Sequence, residues 1–569
     1  MRSLESSTIG AWMLICLFVG RLKEVTSTSQ SKKPHIIILM ADDLGWNDVS
    51  YHGSNQIPTP NIDALAYNGV VLSNYYSQPV CTPSRASFLT GKYAIRTGLQ
   101  GPPLSAGETR ALPLNLTLFP KYFHELGYAT NLIGKWHVGY YAKEFLPTSR
   151  GFDSFFGYYN GYMKYFSYIL ENISDHFPGY DLHRDVENNC TVDWVPKNIY
   201  ATDLFTNEAE NVIAKHDSNV PLFLFFSHLA PHSSGFAGDL EVRDVKETDE
   251  SFHYISNPRR RLYAGMVSAL DDSVGRVVKA LGKKGILNDS IIIFISDNGA
   301  MTRASQANEG SNYPYRGQKF ALYEGGVHVP AFIWAPMIKN ASRIHRGHFH
   351  VTDWLPTLYK LAGGDVDDLA SIDGIDQSDS IVNGSPSPRD TILLNIDELK
   401  DTSGAIKGRF KYLTGVSPWH GAYLGENVDD GDSAAPSYNV TSVTSSLVAL
   451  ALAGAINDSV ISEAKILELR RANKVVCAPH SDELLDCTDT CLFDVLADPC
   501  EAAEISDQHP EVVRELRETV KNYRKVLLPQ QKKGVDPRSL PDYEGGPWLP
   551  WLTVDGEPLP RPFPRTNKI

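Results

Sequence analysis

The stretch PHIIILMADD, residues 34–43, decides the fold of this chain. Its β-branched apolar run is unbroken and is bounded by a proline and two aspartates. Such a run is typical of a strand that is buried on both faces of a sheet. Similar runs follow as YATNLIG at 128–134, VPLFLFFS at 220–227, SIIIFIS at 290–296 and VHVPAFIWA at 327–335. Together these runs predict the strands of one large sheet.

Helical patterns lie between the apolar runs, at residues 61–69, 86–93 and 259–285. The last pattern carries apolar residues at helical spacing and ends in a glycine, as helices commonly do. Buried strands that alternate with helices indicate an α/β domain around a largely parallel sheet. We therefore expect such a domain at residues 33–385.

The composition changes after about residue 385, where shorter, half-exposed strands are predicted at 389–398 and 406–415. These strands are consistent with a smaller antiparallel sheet. A helical segment at 445–473 interrupts this region, and the tail of the chain is rich in proline. We expect residues 386–569 to form a smaller C-terminal domain with an inserted helical segment and an irregular tail.

Residues 1–27 predict a secretory signal peptide, because Arg2 precedes a short apolar run at 11–20 and a polar segment follows. The run is too short to span a bilayer, although a short N-terminal anchor is the alternative. We expect no membrane span after signal cleavage, and either a lysosomal or an extracellular destination. Eight Asn-x-Ser/Thr sequons support this route as candidate glycan sites. They begin at Asn115, Asn172, Asn189, Asn288, Asn340, Asn383, Asn439 and Asn457.

The charge and the cysteines limit the partners of the protein. The formal net charge is -14, and no dense basic run indicates a nucleic-acid partner. Cysteines 477, 487, 491 and 500 cluster late in the chain and could form disulfides of undecided connectivity. Their spacing resembles no standard zinc site. Cys81 stands apart from them.

Charged or metal-liganding side chains follow four of the predicted strands. They are Asp42, Asp43, Lys135, His137, His232, Asp297 and Asn298. Open α/β sheets bind ligands beyond the carboxyl ends of their strands, so these side chains are expected at one crevice. The carboxylate and amide oxygens suit Ca²⁺ or Mg²⁺ better than zinc. The alternative is that the acids cap separate helices and never meet.

Arg85, Lys135 and Lys319 are candidate clamps for an anion, since arginine can grip two oxygens in a fork. His137 and His232 could act as acid or base near neutral pH. Isolated lysines and arginines are more often solvated surface charges. Taken together with a cation, these groups describe a site for a tetrahedral oxyanion ester.

Cys81 is expected at the start of a helix, with Pro83 in the first turn. It could be a buried structural thiol, or a thiolate whose pKa the helix N-terminus lowers. A soft thiolate is a poor match for a site of hard oxygen ligands. Neither interpretation explains all of the surrounding residues.

The segment CTPSRASFLTG at 81–91 resembles the sulfatase signature Cys-x-Pro-Ser-Arg-x-x-x-Leu-Thr-Gly, and GYATNLIGKWHVG at 127–139 is similar to the family's second signature. The resemblance extends from about residue 34 to at least 414, and it is nearest to the arylsulfatase B (N-acetylgalactosamine-4-sulfatase) branch. It implies an alkaline-phosphatase-like fold: a large mixed, mostly parallel sheet flanked by helices, with a smaller C-terminal α+β domain that contains an antiparallel sheet.

The resemblance also implies that the formylglycine-generating enzyme oxidises Cys81 to Cα-formylglycine. One oxygen of the hydrated aldehyde attacks sulfur, and the other allows sulfate to be released. One Ca²⁺ ion is implied near modified Cys81. Its other implied ligands are Asp42, Asp43, Asp297 and Asn298.

Roles for the remaining residues follow from the same resemblance. Arg85 and Lys135 would position the formylglycine and stabilise developing charge. His137 resembles the base that acts during sulfate release, while His232 and Lys319 resemble the groups that bind sulfate and protonate the leaving oxygen. His228 is a nearby histidine, but the family position corresponds to His232.

The resemblance predicts a sulfuric ester hydrolase of the arylsulfatase type, with N-acetylgalactosamine 4-sulfate in a glycan as candidate substrate. Small sulfated metabolites, such as plant glucosinolates, are an alternative. A phosphoester hydrolase of the same superfold is another, although such relatives use serine or threonine in place of Cys81. A catalytically silent glycan-binding protein is a third. His328 stands where many relatives carry arginine, so we expect a titratable group near the site there.

Overall fold

A computed structural model of the chain describes residues 32–560, except 172–176, 188, 195–197, 236, 305, 418–421, 424–434, 456–460, 478–484 and 532. The predicted signal peptide at residues 1–27 lies outside the described residues, as do Asn172 and Asn457. Among the residues described, no helix combines the length and the apolar character that crossing a membrane requires.

Ten strands form the large sheet, in the spatial order β13-β2-β12-β11-β1-β10-β4-β5-β8-β9. Their bounds are β1 His35–Ala41, β2 Val70–Leu72, β4 Ala129–Lys135, β5 Ser154–Tyr158, β8 His183–Val186, β9 Asn189–Val192, β10 Leu222–Ser227, β11 Ser290–Ser296, β12 Ala331–Trp334 and β13 Arg343–His345. Two small ribbons accompany it, β3 Tyr75–Tyr76 with β14 Phe349–His350, and β6 Ile169–Glu171 with β7 Pro178–Tyr180.

The centre of the large sheet is parallel, as the sequence predicts. β1 pairs in parallel with β10 on one side and with β11 on the other, and every residue of all three strands is buried. β12, β2, β8 and β9 add antiparallel pairs toward the edges. The expected large, mixed and mostly parallel sheet is therefore confirmed.

Helices flank this sheet on the described part of the chain. They are α1 Pro60–Asn68, α2 Cys81–Thr90, α3 Phe119–Glu125, α4 Ala201–Lys215, α5 Val245–Ser251, α6 Pro258–Lys284, α7 Glu324–Val327, α8 Trp354–Leu361 and α9 Ser378–Asn383. The sequence placed α6 within one residue at each end. α6 is followed by Gly285, whose φ of 76° is the left-handed conformation that favours glycine just after a helix.

The predicted strand at 327–335 is only partly correct. Its first residue belongs to the short helix α7, and the strand β12 begins at Ala331. Pro330 has no N–H group, and a proline is tolerated at a strand boundary better than inside a sheet. An apolar run alone did not reveal this change from helix to strand.

The last third of the chain contains a four-stranded antiparallel sheet, β15-β16-β17-β18. Its strands are β15 Thr391–Asp397, β16 Thr402–Lys407, β17 Phe410–Thr414 and β18 Cys491–Asp494. The helices here are α10 Val440–Thr444, α11 Leu447–Ala455, α12 Glu463–Asn473 and α13 Pro510–Arg524. The expected smaller antiparallel sheet is confirmed, whereas the domain boundary near residue 385 stays a prediction.

Two packing features complete this region. Val448 and Leu452 of α11 and Ile466 of α12 belong to the main core, with α1 and α6, and not to the core beneath the small sheet. Disulfides join Cys477 to Cys500 and Cys487 to Cys491. Cys81 and Cys190 take part in neither disulfide.

Candidate active site

The carboxyl ends of the central parallel strands bring the predicted residues to one edge of the large sheet. Asp42 and Asp43 follow β1, Lys135 ends β4, and Asp297 follows β11. Because these strands are parallel neighbours in the sheet, their ends lie side by side. The side chains of all four residues are buried.

Each carboxylate in this group faces a cation. Lys135 Nζ lies 2.7 Å from Asp42 Oδ2, and Lys319 Nζ lies 2.7 Å from Asp43 Oδ2. The Arg85 guanidinium donates to Asp297 Oδ2 through Nε at 3.1 Å and through Nη2 at 2.8 Å. We call these six residues the charged cluster: Asp42, Asp43, Arg85, Lys135, Asp297 and Lys319. The formal charges of its three acidic and three basic side chains cancel.

The oxygen atoms of the cluster fit a hard divalent cation. Asn298 Nδ2 donates to Asp43 Oδ1 at 2.6 Å, while the Oδ1 atom of Asn298 is buried with no hydrogen-bond partner. A buried carbonyl oxygen without a partner is costly, and a metal ion is one way to satisfy it. Ligand atoms of Asp42, Asp43 and His232 also lie within 4.8 Å of one another. Carboxylate and amide oxygens are ligands that Ca²⁺ prefers.

The pKa values within the cluster agree with a site that can accept more positive charge. Burial raises the pKa of Asp42 to about 8, even though Lys135 opposes the shift. The pKa of Asp43 is lowered to about 2, because Lys319 and His232 outweigh the effect of burial. A divalent cation would stabilise the ionised form of both carboxyl groups.

Backbone conformation helps to aim two of these residues. Asp43 has φ of 61° and His137 has φ of 57°, both in the left-handed region that residues with a side chain seldom adopt. Such conformations cluster at functional sites, where surrounding structure holds them in place. The turns after β1 and β4 therefore point side chains to the crevice at a conformational cost.

Cys81 is the first residue of α2 and is 2% exposed. The amino end of the helix faces the charged cluster, since Arg85 lies one turn further along and binds Asp297. Burial raises the pKa of the Cys81 thiol, although Lys135 and Lys319 oppose the shift. A thiol in this state is mostly protonated at neutral pH and is a weak nucleophile. The geometry does not favour the interpretation of Cys81 as a thiolate nucleophile.

His137 and His232 are both buried and border the same pocket. His137 Nε2 donates to the carbonyl oxygen of Leu104 at 2.9 Å, and His137 Nδ1 has no partner. His232 Nδ1 donates to the carbonyl oxygen of Ser233 at 2.7 Å, which leaves Nε2 to face Lys319 Nζ at 3.3 Å. Burial lowers the pKa of His232 to about 3 and holds that of His137 well below its ordinary value. Both rings are therefore neutral bases in the free protein.

The pocket above Cys81 has a volume of about 470 Å³, including space open to solvent. Side chains from several loops form its walls, among them His137, Asn160, Tyr162, His232, Gln306 and Lys319. The ring of Tyr162 stacks on that of His232, with centroids 5.7 Å apart and an angle of 10° between planes. The walls are thus polar and cationic near Cys81 and aromatic further out.

His328 lies elsewhere than predicted. Its Nδ1 atom is 2.6 Å from Glu324 Oε2 and its Nε2 atom is 2.7 Å from the carbonyl oxygen of Ser73. Both partners lie outside the charged cluster. Among the described residues, His328 makes no hydrogen bond to that cluster.

Two residues that form hydrogen bonds with the charged cluster were not predicted from the sequence. Ser227, the last residue of β10, receives a hydrogen bond from Arg85 Nη1. Asn308 Nδ2 donates to the carbonyl oxygen of Asp43 at 2.9 Å and so holds the strained turn after β1. Ser227 is the last residue of a predicted strand, so a search of strand ends could have found it. Asn308 lies in a loop, and nothing in the sequence marks it.

Comparison with known proteins gives consistent matches. Residues 34–364 match the family model described as "Sulfatase". The chain is 36% identical to arylsulfatase J of Mus musculus over 534 residues, covering 93% of this chain and 82% of that protein. It is 28% identical over 426 residues to N-acetylgalactosamine-6-sulfatase of Homo sapiens, covering 72% and 76%. The crystal structure of Ps i-CgsB superposes with a TM-score of 0.65 at 25% identity, covering 87% of this chain and 94% of that one.

Proposed function

The chain belongs to the sulfatase family, has its alkaline-phosphatase-like fold and is an enzyme that hydrolyses sulfate esters. From this premise we propose that turnover depends on conversion of Cys81 to formylglycine and on one Ca²⁺ ion. The observation that carries the proposal is the environment of Cys81, a buried and protonated thiol at a helix N-terminus beside the charged cluster. A soft thiol is a poor ligand beside hard carboxylate and amide oxygens, whereas a hydroxyl group at residue 81 would suit the same cation.

Formylglycine would supply, when hydrated, one hydroxyl that attacks sulfur and a second that lets sulfate leave. Asp42, Asp43, Asp297 and Asn298 would hold Ca²⁺, together with residue 81 in its modified form. The cation would add positive charge where the sulfate oxygens bind. Because the charges of the cluster already cancel, the loaded site would attract an anionic ester.

The residues of the chain supply orientation and proton transfer. Arg85 is fixed by Asp297 and Lys135 by Asp42, so both cations are held in place to stabilise developing negative charge. The partnerless Nδ1 atom of His137 is suited to accept a proton at the pocket. Lys319 is held charged, since Asp43 raises its pKa against the effect of burial. Lys319 and His232 are therefore placed to bind sulfate and to return a proton to the leaving oxygen.

We propose a sulfated glycan, with N-acetylgalactosamine 4-sulfate as first candidate, as the substrate. Support for the sugar, although not for the position of its sulfate, comes from a relative named N-acetylgalactosamine-6-sulfatase, which is 28% identical over 426 residues. We also propose that the protein matures in the secretory pathway, where the formylglycine-generating enzyme would act on it, and reaches a lysosomal or extracellular destination. The six sequon asparagines within the described residues are all exposed, as glycan attachment requires.

Mass spectrometry of the peptide that contains residue 81, taken from secreted protein, tests the modification. We expect formylglycine in place of cysteine, and we expect C81A to have no activity on 4-nitrophenyl sulfate or on sulfated N-acetylgalactosamine. A fully unmodified thiol in active protein would disprove the formylglycine mechanism. Residual turnover by C81A would place the nucleophile elsewhere.

Thermal unfolding tests the cation independently of activity. We expect Ca²⁺ to raise the melting temperature of chelator-treated protein, because a ligand that binds only the folded state stabilises it by RT ln(1 + [L]/Kd). N298L should lose most of this Ca²⁺-dependent rise while folding normally without the ion. An equal rise for N298L and wild type would remove Asn298 from the proposed ligands.

A further inference from the structure

A second pocket adjoins the pocket above Cys81. Val80 and Phe320, the neighbours of Cys81 and Lys319 in sequence, are among its walls. The segment 101–106 borders both pockets. Residues 101–102 line the second pocket, and residues 103–106 line the pocket above Cys81. A ligand that fills the first pocket and extends past Cys81 would therefore enter the second.

Two buried amide oxygens of this second pocket have no hydrogen-bond partner. They are Gln100 Oε1 and Asn395 Oδ1, on side chains that are 1% and 5% exposed. The amide orientations are fixed by their nitrogens: Gln100 Nε2 donates to Glu398 Oε2 at 2.9 Å, and Asn395 Nδ2 donates to the Gln100 carbonyl oxygen at 2.8 Å. Both orphaned oxygens are therefore acceptors that no described group of the protein satisfies.

Val80, Phe320 and Leu322 give this pocket apolar walls, and Asp397, Lys400 and Thr402 line it as well. A surface with an aromatic ring, aliphatic groups and a few polar side chains is suited to a sugar, which offers C–H groups on its ring and hydroxyl or amide donors at its rim. We propose that this pocket is a subsite for the sugar unit next to the sulfated one. The inference rests on the proposed function and specifies its substrate as an oligosaccharide.

The groove continues beyond the subsite. Lys400 lines the second pocket and also a further cleft of about 830 Å³, including space open to solvent, in which Lys533 and Arg110 lie. Arg110 pairs with Glu108. Lys400 and Lys533 are exposed and form no ion pair with any residue that the structure describes. Of the charged residues that line the two cavities, the basic Arg110, Lys400 and Lys533 outnumber the acidic Glu108 and Asp397, and this balance favours a glycan that carries sulfate on more than one unit.

Blocking the subsite tests the proposal. Thr402, the half-buried first residue of β16, lines the second pocket, and T402W would fill it. We expect T402W to lower kcat/KM at least ten-fold for a chondroitin 4-sulfate tetrasaccharide. For 4-nitrophenyl sulfate, which reaches only the first pocket, we expect a change of less than two-fold. T391W is the matched control, since Thr391 is the half-buried first residue of β15 and does not line the pocket.

A smaller change removes one acceptor without filling the pocket. We expect N395A to raise KM for the tetrasaccharide about three- to ten-fold, the value of one neutral hydrogen bond, with kcat little changed. Equal losses on both substrates, or no loss on the tetrasaccharide, would overturn the subsite. So would a wild type that cleaves 4-nitrophenyl sulfate and gains nothing from the tetrasaccharide over the monosaccharide. A wild type inactive on every sulfate ester would instead count against the proposed function.

Discussion

His228 and His232 lie four residues apart after the same strand, yet their surroundings differ. His232 Nε2 is 3.3 Å from Lys319 Nζ and 3.4 Å from Asp43 Oδ2, and it borders the pocket above Cys81. The ring of His228 stacks on Phe226, with centroids 3.7 Å apart. At the scale of the residue, function depends on which neighbour each ring meets and not on the residue type.

We therefore expect H232A to lower kcat by a factor of about 10² to 10⁴, the usual contribution of a positioned acid or base. H228F keeps an aromatic ring for Phe226 to stack on, and it should retain at least half of the wild-type kcat. Steady-state kinetics on 4-nitrophenyl sulfate would measure both. A comparable loss in the two variants, with both folded by circular dichroism, would contradict the role given to His232.

The acidic residues of the site were easier to bring together from sequence than its basic residues. Asp42, Asp43 and Asp297 could be brought together from sequence because the ends of parallel strands meet at one edge. Arg85 and Lys319 come from a helix and a loop, so sequence spacing gave no distance between them and the acids. The burial that keeps His137 and His232 neutral is also a property of the packed structure, and no local sequence signal reports it.

At the scale of the element, glycines at strand ends control how the site residues are presented. Gly134 precedes Lys135 in β4 and has φ of 95°. A Cβ atom at this position would overlap the carbonyl oxygen of Ser227 on the neighbouring strand β10. Gly134 thus permits both the left-handed turn of the backbone and the close approach of two strands.

We expect G134A to destabilise the protein and to abolish most of its activity, because Lys135 and the β4–β10 pairing would both shift. G127A is the matched control: Gly127 has φ of 87°, and a Cβ atom there would meet nothing within 4 Å. That variant should lose only about 1 kcal/mol of stability, because alanine is strained in the left-handed conformation. Thermal unfolding and kinetics together would check the pair. Equal effects would show that the contact with Ser227 is unimportant.

The elements themselves were largely predictable, since unbroken apolar runs marked β1, β10 and β11 and helical periodicity marked α6. The failure at 327–335 arose because a short helix and a strand can share one apolar run, and only tertiary packing separates them. The packing of α11 on the main core was equally unpredictable, because its sequence indicates an apolar helix but not which surface that helix packs against.

At the scale of the whole molecule, a buried group of charges joins the small antiparallel sheet to the helix α7 and the ribbon strand β3. Lys411 of β17 is fully buried, and its Nζ atom lies 2.7 Å from Glu324 Oε1 on α7 and 2.8 Å from Glu501 Oε1. Glu324 also pairs with His328 and accepts a hydrogen bond from the hydroxyl of Tyr76 on β3. Removal of one partner from such a group leaves an uncompensated buried charge.

We expect K411M to lower the free energy of unfolding by about 3–5 kcal/mol at pH 7. Although burial alone would raise it, the pKa of Glu324 is lowered to about 2 by Lys411 and His328, from an ordinary value near 4.5. Its contribution is therefore complete above pH 4.5 and is lost as the pH falls toward 2, so the penalty of K411M should shrink over that range. Urea denaturation between pH 7 and pH 3 would measure it.

The control for this prediction is K407M on the adjacent strand β16. Lys407 pairs with Glu515 at the surface, where solvent screens the ion pair and leaves it little net effect on stability. Its effect should be small and should depend little on pH between 7 and 3. A K411M penalty that stays constant over the same range would show that lost packing, and not lost charge pairing, accounts for the destabilisation.

The burial of Cys81 has a consequence for the order of events in biosynthesis. A side chain that is 2% exposed at the root of a helix is out of reach for any protein catalyst once the sheet has closed around it. An enzyme that alters residue 81 must therefore meet the segment while the nascent chain is still open. Folding would end that opportunity, so under the proposed mechanism a molecule that folds before it is modified would stay inactive. The balance between the two rates, and not the stability of the final structure, would decide what fraction of each batch becomes functional.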